Sequence, residues 1–408
     1  MHRQIVILGG SHAGSQAAAS LRDEGYDGKL VLVSAEPHIP YHRPPLSKAY
    51  LKSDVPPQDL RPESFYTDRN VDLELGVEAG RIDLKDGRIE VAGGRTIDFD
   101  GLVYAAGSSV RRLDIPGSNL SGIHYLKTLD DAVALKAALS NAEHVVVVGG
   151  GFIGLEVAAT ACLLGCKVTV LELSDRLMGR AVAPEISGHF LDAHRGRGAD
   201  IRLNTGIAAF NGPSGKLESV ETVGGETVAA DLAVVGVGVL ANDALAGDAG
   251  LDIANGVVVS AELATSDPRI VAAGDCVRFV HAASGHSVRL ESVQNANDQA
   301  RVSAKTLLGK GAPYTDTPWF WSDQGDDKLQ MAGLAFDVDR RILRGNPDEG
   351  RFSVFQYAGE KLVAVDSVNA PGDHMLARRM LAAGISPRPA DAADLSVDLK
   401  PLVMAKAR

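Results

Sequence analysis

Two glycine-rich turns are the residues of this 408-residue chain whose spacing points most clearly to chemistry. The second turn, GGGFIG, has glycine at all three positions of the G-x-G-x-x-G pattern: Gly149, Gly151 and Gly154. In this pattern the first glycine permits a tight turn, the second lets the backbone approach a pyrophosphate, and the third lets helix and sheet pack closely. The helix that follows would offer its free N–H groups to the phosphates, which predicts a dinucleotide site.

The first turn, GGSHAG, keeps Gly9 and Gly14 but has Ser11 at the middle position. We expect it to bind phosphate as well, with Ser11 either tolerated or serving as an extra hydrogen-bond donor. A degenerate structural turn is the alternative. An acidic residue follows each motif near the end of the next apolar run, Glu36 in the first case and Glu172 in the second.

Glu172 lies 21 residues past Gly151, the spacing of an acid that binds the adenosine ribose. A carboxylate there accepts a hydrogen bond from the 2′-hydroxyl and repels a 2′-phosphate, so NADH is favoured over NADPH. Arg180 either contacts the adenine side of the dinucleotide or is an exposed surface arginine.

The elements that must position these turns are two βαβ units. The first reads QIVILGG, AGSQAAASLRDEG and KLVLVSAE, and the second reads HVVVVGGG, FIGLEVAATACLLG and KVTVLELS. Three further strands are predicted in DGLVYAAGSS, ADLAVVGVGVLAN and DPRIVAAGDCVRF. The last contains Gly274 and Asp275, and Asp275 could accept from FAD ribitol hydroxyls, cap a helix, or do both. After about residue 318, alternating apolar residues and then a helical run, DHMLARRMLAAG, predict a separate α+β domain.

Composition narrows the class of protein. The net charge of −11 disfavours bulk nucleic-acid binding. Three cysteines without a CxxC pair indicate a reducing compartment, and we expect Cys162 and Cys166, four apart on a predicted helix, to be small buried residues. The N-terminal sequence has no signal-peptide pattern and no window is apolar enough for a membrane span, which predicts a cytoplasmic protein with no membrane partner. We predict no metal site.

Five segments together resemble the FAD-dependent, NADH-specific ferredoxin reductases of bacterial cytochrome P-450 monooxygenases and ring-hydroxylating dioxygenases. They are PYHRPPLSKAYL, GGGFIGLEVAA, AAGDC, RLESVQNANDQAR and PWFWSDQGDDKLQMAGL. The resemblance implies an α/β, glutathione-reductase-like flavoprotein with two dinucleotide-binding domains and a C-terminal α+β interface domain. The expected domains are a discontinuous FAD-binding domain (1–112 and 245–318), a NAD-binding domain (113–244) and a C-terminal domain (319–408).

The resemblance also implies roles for residues. Lys48 would lie beside the flavin N5 edge, and Glu156 would pair with it near the nicotinamide. The implied FAD-binding residues are Gly9, Ser11, His12, Ala13, Gly14, Glu36, Arg43, Lys48, Ala79, Ala106, Gly107, Arg111, Lys127, Gly274, Asp275, Glu291, Val293, Gln294 and Trp319. The implied NAD-binding residues are Gly149, Gly151, Phe152, Ile153, Gly154, Glu156, Glu172, Arg180 and Gly238. Four positions depart from the family pattern: Ser11, Ala106, Lys127 and Ala241.

The implied reaction passes electrons from NADH through FAD to an acidic [2Fe–2S] ferredoxin. The protein is expected to be a monomer or a homodimer. Because the chain is acidic overall, docking needs a local basic patch. The segment from His374 to the C-terminus supplies Arg378, Arg379, Arg388, Lys400, Lys406 and Arg408 against three aspartates. Arg61, Arg301 and Trp321 match family docking positions. Alternatives are an NADH oxidase, a rubredoxin reductase, a peroxidase relying on Cys276, or a sensor protein related to apoptosis-inducing factor.

Overall fold

The computed structural model describes residues 2–53, 55 and 57–404, and these divide into two compact units. The first unit is formed by Met1–His42, Pro57–Ser109 and Val239–Asp316. The second is formed by Arg43–Pro56, Val110–Gly238 and Thr317–Arg408. The three-domain division expected from the sequence is finer than these two units and stays a prediction.

Short strands make up most of the regular structure. The strands are β1 (Gln4–Leu8), β2 (Lys29–Ser34), β3 (Val71–Leu75), β4 (Ala79–Asp83), β5 (Arg88–Val91), β6 (Arg95–Asp98), β7 (Gly101–Tyr104), β8 (Ser108–Val110), β9 (Ile123–His124), β10 (His144–Val148), β11 (Lys167–Leu171), β12 (Asp200–Arg202), β13 (Ile207–Asn211), β14 (Ser219–Thr222), β15 (Thr227–Ala229), β16 (Leu232–Val235), β17 (Val239–Ala241), β18 (Val257–Val258), β19 (Ile270–Ala272), β20 (Val277–Val280), β21 (Ser287–Val288), β22 (Trp319–Gln324), β23 (Asp327–Gly333), β24 (Arg340–Asn346), β25 (Arg351–Ala358) and β26 (Lys361–Val368). The α-helices are α1 (His12–Asp23), α2 (Ala49–Lys52), α3 (Glu63–Asp68), α4 (Leu129–Leu139), α5 (Phe152–Leu163), α6 (Pro184–Gly196), α7 (Ala244–Asp248), α8 (Val293–Leu307), α9 (Pro371–Ala383), α10 (Pro389–Ala393) and α11 (Lys400–Met404).

A parallel sheet forms the centre of the first unit, with the strand order β19-β7-β1-β2-β3. Its strands are nearly continuous apolar runs because both faces are covered, as Ile5 and Ile7 of β1 show by being fully buried. Ile7 lies opposite Leu32 of β2 and Val103 of β7. Helices α1 and α8 pack together and share a core with this sheet.

The second unit contains a parallel sheet and an antiparallel sheet. The parallel sheet has the order β12-β11-β10-β16-β9, and α5 packs on β10, β11 and β16. The antiparallel sheet has the order β22-β23-β26-β25-β24, with α9 packed on β23 and β26. Helix α5 also contacts β22, where the rings of Phe152 and Phe320 lie 4.7 Å apart.

The predicted βαβ units, the later strands and the C-terminal helix are confirmed, because each is present with bounds close to the apolar runs. Two expectations were wrong. Helix α5 ends at Leu163, so Cys166 lies beyond the helix, directly before β11, and both Cys162 and Cys166 are half-buried rather than buried. Asp275 does not cap a helix, because the next element is strand β20.

None of the helices within the described residues combines the length and apolar character that crossing a membrane requires.

Candidate functional site

The second glycine turn joins β10 to α5, and its backbone explains two of the three glycines of the G-x-G-x-x-G pattern. Gly149 has φ +102°, and a Cβ there would lie 2.5 Å from the carbonyl oxygen of Gly236. A Cβ at Gly154 would lie 2.4 Å from the carbonyl oxygen of Gly149. Gly151 is different, since a Cβ added there would meet only the carbonyl oxygen of Gly236, at 3.9 Å, and its φ is −82°. The protein itself therefore leaves space at Gly151, which fits a pyrophosphate at the start of α5.

Glu172 follows β11 and its carboxylate is fixed by backbone amides. The amide of Gly150 donates to Oε2 at 2.6 Å, and the amide of Ser174 donates to Oε1 at 2.7 Å. Each carboxylate oxygen has a second lone pair, so ribose hydroxyls can still donate to it. The acid is therefore held beside the glycine turn, where a ribose would follow the pyrophosphate.

The first glycine turn joins β1 to α1 and has the same plan. Gly9 has φ +120°, and a Cβ there would lie 2.1 Å from the carbonyl oxygen of Ala105. A Cβ at Gly14 would lie 1.8 Å from the carbonyl oxygen of Gly9. Ser11 has φ −120°, an extended conformation that any residue adopts, and its side chain makes no capping hydrogen bond to α1. The two glycines that the backbone needs are kept, and the replaced one is the position where the backbone needs no glycine.

An ion pair lies one helical turn beyond the second glycine turn. Glu156 is the fifth residue of α5, so its Cα lies about 6 Å along the helix axis from the first residue, Phe152. Lys48 Nζ lies 2.8 Å from Glu156 Oε2, and the two side chains are 18% and 4% exposed. The pair predicted from the resemblance is therefore formed within the second unit.

Two serines that the sequence reasoning missed complete the surroundings of Glu156. Ser47 Oγ donates to Oε2 at 2.5 Å and Ser322 Oγ donates to Oε1 at 2.6 Å. Both serines are buried. Ser47 precedes Lys48 directly, and Ser322 lies on the buried face of β22, where an apolar residue is the usual occupant. A serine directly after Phe320 and Trp321 in a predicted strand was the sequence signal for a buried polar contact at this position.

The first unit brings most of its predicted FAD residues to one edge of its sheet, because parallel strands end on the same side. The residues that follow β1, β2, β7 and β19 are Gly9, Ser11, His12, Ala13, Gly14, Glu36, Ala106, Gly107, Gly274 and Asp275. Ala79 instead begins β4, in a separate three-stranded sheet. Glu291, Val293 and Gln294 lie at the start of α8.

Several acidic groups of this set have fixed orientations. Tyr41 donates to Glu36 Oε2 at 2.5 Å, and Ser108 Oγ donates to Asp275 Oδ2 at 2.7 Å. Glu291 forms an ion pair with Arg289 at 2.7 Å. These carboxylates are acceptors, which is the chemistry that ribose and ribitol hydroxyls need.

The second unit contains the other predicted FAD residues: Arg43, Lys48, Arg111, Lys127 and Trp319. Arg43 Nη1 donates to the carbonyl oxygen of Lys127 at 2.8 Å. The amide of Arg111 donates to the carbonyl oxygen of Gly238 at 3.0 Å. Gly238 has φ +101°, and a Cβ added there would lie 3.9 Å from exposed Arg180.

The predicted docking residues are divided between the units. In the first unit, Arg61 stacks on Phe65 at 4.9 Å and Arg301 forms an ion pair with Asp298.

In the second unit, Arg378 stacks on Trp319 at 4.3 Å, and the rings of Trp319 and Trp321 lie 5.6 Å apart. Arg379 and Lys400 are exposed, as is Arg388, which binds Asp391. Lys406 and Arg408 lie outside the described residues.

The cysteines do not form a redox centre in the structure. All three are free. Burial raises the pKa of Cys276 to about 12, so this thiol stays protonated near neutral pH. Because the thiolate is the reactive form, Cys276 is unsuited to a peroxidase reaction. In the described part of the chain, no three His, Cys, Asp or Glu side chains are grouped to hold a metal ion.

Most of the chain matches two known protein families. Residues 3–300 match the family described as pyridine nucleotide-disulphide oxidoreductase, and residues 319–403 match that described as reductase C-terminal. Rhodocoxin reductase of Rhodococcus erythropolis is 45% identical over 97% of this chain and 93% of its own.

Two solved structures are also similar over the whole chain. One is the ferredoxin reductase for the CYP199A2 system from Rhodopseudomonas palustris (TM-score 0.96, 44% identity, covering 98% of this chain and 100% of that one). The other is the covalent putidaredoxin reductase–putidaredoxin complex (TM-score 0.96, 37% identity, covering 99% of both chains). The chain therefore belongs to the pyridine nucleotide-disulphide oxidoreductase family and is a two-dinucleotide flavoprotein oxidoreductase that uses FAD and NAD(P)H.

Proposed function

We propose that this protein is a cytoplasmic NADH:ferredoxin reductase that supplies electrons to an oxygenase. The observation that carries the proposal is the arrangement on α5. One helix provides the phosphate-binding start at Gly151 and, one turn later, Glu156 paired with Lys48. A dinucleotide bound at the start of α5 would have this pair close by.

The residues of the chain bind, orient and stabilise charge. Bound FAD would supply the redox chemistry, which is acceptance of a hydride from NADH and onward transfer of single electrons. Lys48 provides a half-buried positive charge that favours negative charge developing on the flavin, and Glu156 fixes the position of the ammonium group. Glu172, held by the amides of Gly150 and Ser174, favours a 2′-hydroxyl over a 2′-phosphate and so favours NADH.

The electron acceptor is proposed from the relatives. One is solved as a ferredoxin reductase for a cytochrome P-450 system, and another in covalent complex with putidaredoxin. We propose that this chain likewise reduces an acidic [2Fe–2S] ferredoxin, serving a P-450 monooxygenase or a ring-hydroxylating dioxygenase. The inert Cys276 and the absence of a CxxC pair in the sequence support direct transfer from flavin to acceptor.

The test is NADH-dependent reduction of cytochrome c by the purified flavoprotein, with and without a panel of [2Fe–2S] ferredoxins and a rubredoxin. We expect a low rate alone and a large increase with at least one [2Fe–2S] ferredoxin. Fast oxygen consumption without any protein acceptor would identify an oxidase instead. An increase confined to rubredoxin would replace the proposed acceptor class.

A further inference from the structure

A row of buried polar side chains connects α6 to the carboxylate of Glu156 through β22. His194 Nε2 lies 2.8 Å from Gln324 Oε1, Gln324 Nε2 lies 3.2 Å from Ser322 Oγ, and Ser322 Oγ lies 2.6 Å from Glu156 Oε1. His194, Gln324 and Ser322 are each 0% exposed. A polar row buried this deeply is costly unless its hydrogen bonds are made, so the direction of each bond matters.

The direction of these bonds follows from the protons that each group carries. Burial lowers the pKa of His194, so its ring is neutral and has one N–H. Among the residues that the structure describes, none forms a hydrogen bond with its buried Nδ1, which places the proton on Nε2, where it is donated to Gln324 Oε1. This contact fixes the amide of Gln324, whose Nε2 donates to Ser322 Oγ and to the sulfur of Met178 at 3.4 Å.

The hydroxyl proton of Ser322 then has one available acceptor, the carboxylate of Glu156. Its oxygen already accepts from Gln324, so its O–H donates to Glu156 Oε1. If the amide of Gln324 were reversed, its oxygen would face Ser322 and compete for that proton. On the other oxygen, Ser47 and Lys48 both donate to Oε2. The carboxylate thus receives donors on both oxygens, and its orientation toward Lys48 is fixed.

We propose that His194, Gln324 and Ser322 are positioning residues, which form a one-way chain of hydrogen-bond donors that orients Glu156 and thereby holds Lys48 at the flavin. The inference rests on the proposed role of the Lys48–Glu156 pair in flavin reduction, and it is independent of which protein accepts the electrons. These hydrogen bonds connect the Lys48–Glu156 pair to α6 and to β22, elements that lie outside both glycine turns.

The first test measures the wild-type protein, and a variant is used only to assign resonances. The holoenzyme is labelled with ¹⁵N-histidine, and the resonances of His194 are assigned by their loss in His194→Gln. We expect a neutral imidazole protonated at Nε2 at pH 7. A ring protonated at Nδ1, or on both nitrogens, would reverse or block the first donation and overturn the proposal.

The second test measures the effect on flavin. In Ser322→Ala we expect anaerobic stopped-flow reduction of FAD by saturating NADH to slow about ten-fold, the loss that one hydrogen bond to a charged group produces. The flavin midpoint potential should move to a more negative value, because the ammonium of Lys48 is held less firmly. Ser353→Ala is the matched control: Ser353 is equally buried in the same sheet and bonds Ser367 at 2.9 Å, so it should change neither quantity.

A double-mutant cycle shows whether Ser322 acts through Glu156. In the Glu156→Ala background, Ser322→Ala should add nothing to either the rate or the potential. Independent, additive losses would overturn the proposal, as would wild-type rate and potential in Ser322→Ala. Because these measurements use NADH and flavin alone, a failure to reduce any ferredoxin would contradict the proposed acceptor and leave this result standing.

Discussion

Glu156 is a buried carboxylate with three donors, and its removal leaves Lys48 without its ion-pair partner. We expect Glu156→Ala to slow flavin reduction by NADH by about ten- to a hundred-fold, because the Lys48 ammonium group, which we propose favours negative charge on the flavin, loses its fixed position. The measurement is single-turnover bleaching of the flavin absorbance in a stopped-flow instrument.

A matched control is Glu143→Ala, which removes an exposed glutamate paired with exposed Lys167 in the same unit. That variant should reduce at the wild-type rate. If Glu156→Ala also reduced at the wild-type rate, the Lys48–Glu156 pair would have no part in hydride transfer.

Glu172 is the residue that we propose sets the choice of nicotinamide dinucleotide. Replacing it by glutamine keeps a hydrogen-bonding side chain but removes the charge that repels a 2′-phosphate. We expect Glu172→Gln to reduce the preference of kcat/KM for NADH over NADPH by about ten-fold or more, since a hydrogen bond to a charged group contributes about 1.5–3 kcal/mol. Steady-state kinetics with both dinucleotides and ferricyanide measure this ratio. An unchanged ratio would assign the preference to other residues.

At the scale of elements, the β10–α5 turn contains glycines that the backbone itself requires and one, Gly151, that we propose is required by the ligand. A Cβ at Gly154 meets a backbone oxygen at 2.4 Å, whereas a Cβ at Gly151 has only an ordinary contact. We expect Gly154→Ala to lower the free energy of unfolding by about 1–3 kcal/mol. Gly151→Ala should stay within about 0.5 kcal/mol of wild type but bind NADH more weakly. Thermal unfolding and NADH titration would reveal this split, and equal unfolding losses would refute it.

Helix α6 begins at a buried acid of the C-terminal sheet. The amide of Ala183, just before α6, donates to Asp366 Oδ2 at 2.9 Å, and Gln356 Nε2 donates to the same oxygen at 3.0 Å. Burial raises the pKa of Asp366 to about 7 from an ordinary value of 3.8, although the amide of Ala183 acts in the opposite sense. The folded protein therefore keeps a proton that the unfolded chain loses.

This proton predicts a change of stability with pH. The contribution of Asp366 is fully present below about pH 4 and is lost as pH rises to about 7, at no more than about 1.4 kcal/mol per pH unit. In Asp366→Asn the side chain no longer titrates. The free energy of unfolding of the variant minus that of wild type should therefore increase from pH 5 to pH 7 and then level off. A difference that is constant over this range would show that Asp366 is ionised in the folded protein.

The local sequence pattern predicted the helices and strands well, but it predicted poorly which of them contact each other in the folded protein. Both glycine turns, both following helices and the acids after β2 and β11 could be found because each motif lies within one βαβ unit. Ser322 and Gln324 could not, because a strand pattern shows which residues alternate but not which helix covers them. His194 is separated from Gln324 by 130 positions, and only the tertiary fold brings them together.

At the scale of the whole molecule, one segment belongs to a different compact unit from the residues on either side of it in the sequence. The segment Arg43–Pro56, which contains Lys48, follows the first βαβ unit directly but belongs to the second unit with α5. The described part of the segment contains only short helical turns such as α2, which are too short to give a periodic signal, so the sequence pattern could not place it. The pairing of Lys48 with Glu156 was expected only through the family resemblance. The finer division into three domains remains a prediction, because the structure divides the chain into two units only.

The charge distribution of the whole molecule gives the last prediction. The chain carries −11, so an acidic ferredoxin would be repelled unless it meets a local excess of basic residues. Arg379 is exposed on α9, beside Arg378, which stacks on Trp319. We expect Arg379→Glu to raise the KM for ferredoxin several-fold at low ionic strength and to weaken its salt dependence, because rim charges act mainly on association.

Reduction of ferricyanide by NADH should be unchanged in this variant, which separates docking from flavin reduction. Lys167→Glu makes the same change of charge at an exposed residue of β11 and serves as the matched control. If both variants raised the KM equally, net charge rather than a local site would govern the encounter. If neither did, and turnover with ferredoxin were insensitive to salt, docking would rest on apolar contacts such as those of Trp321, and the basic patch would have to be abandoned.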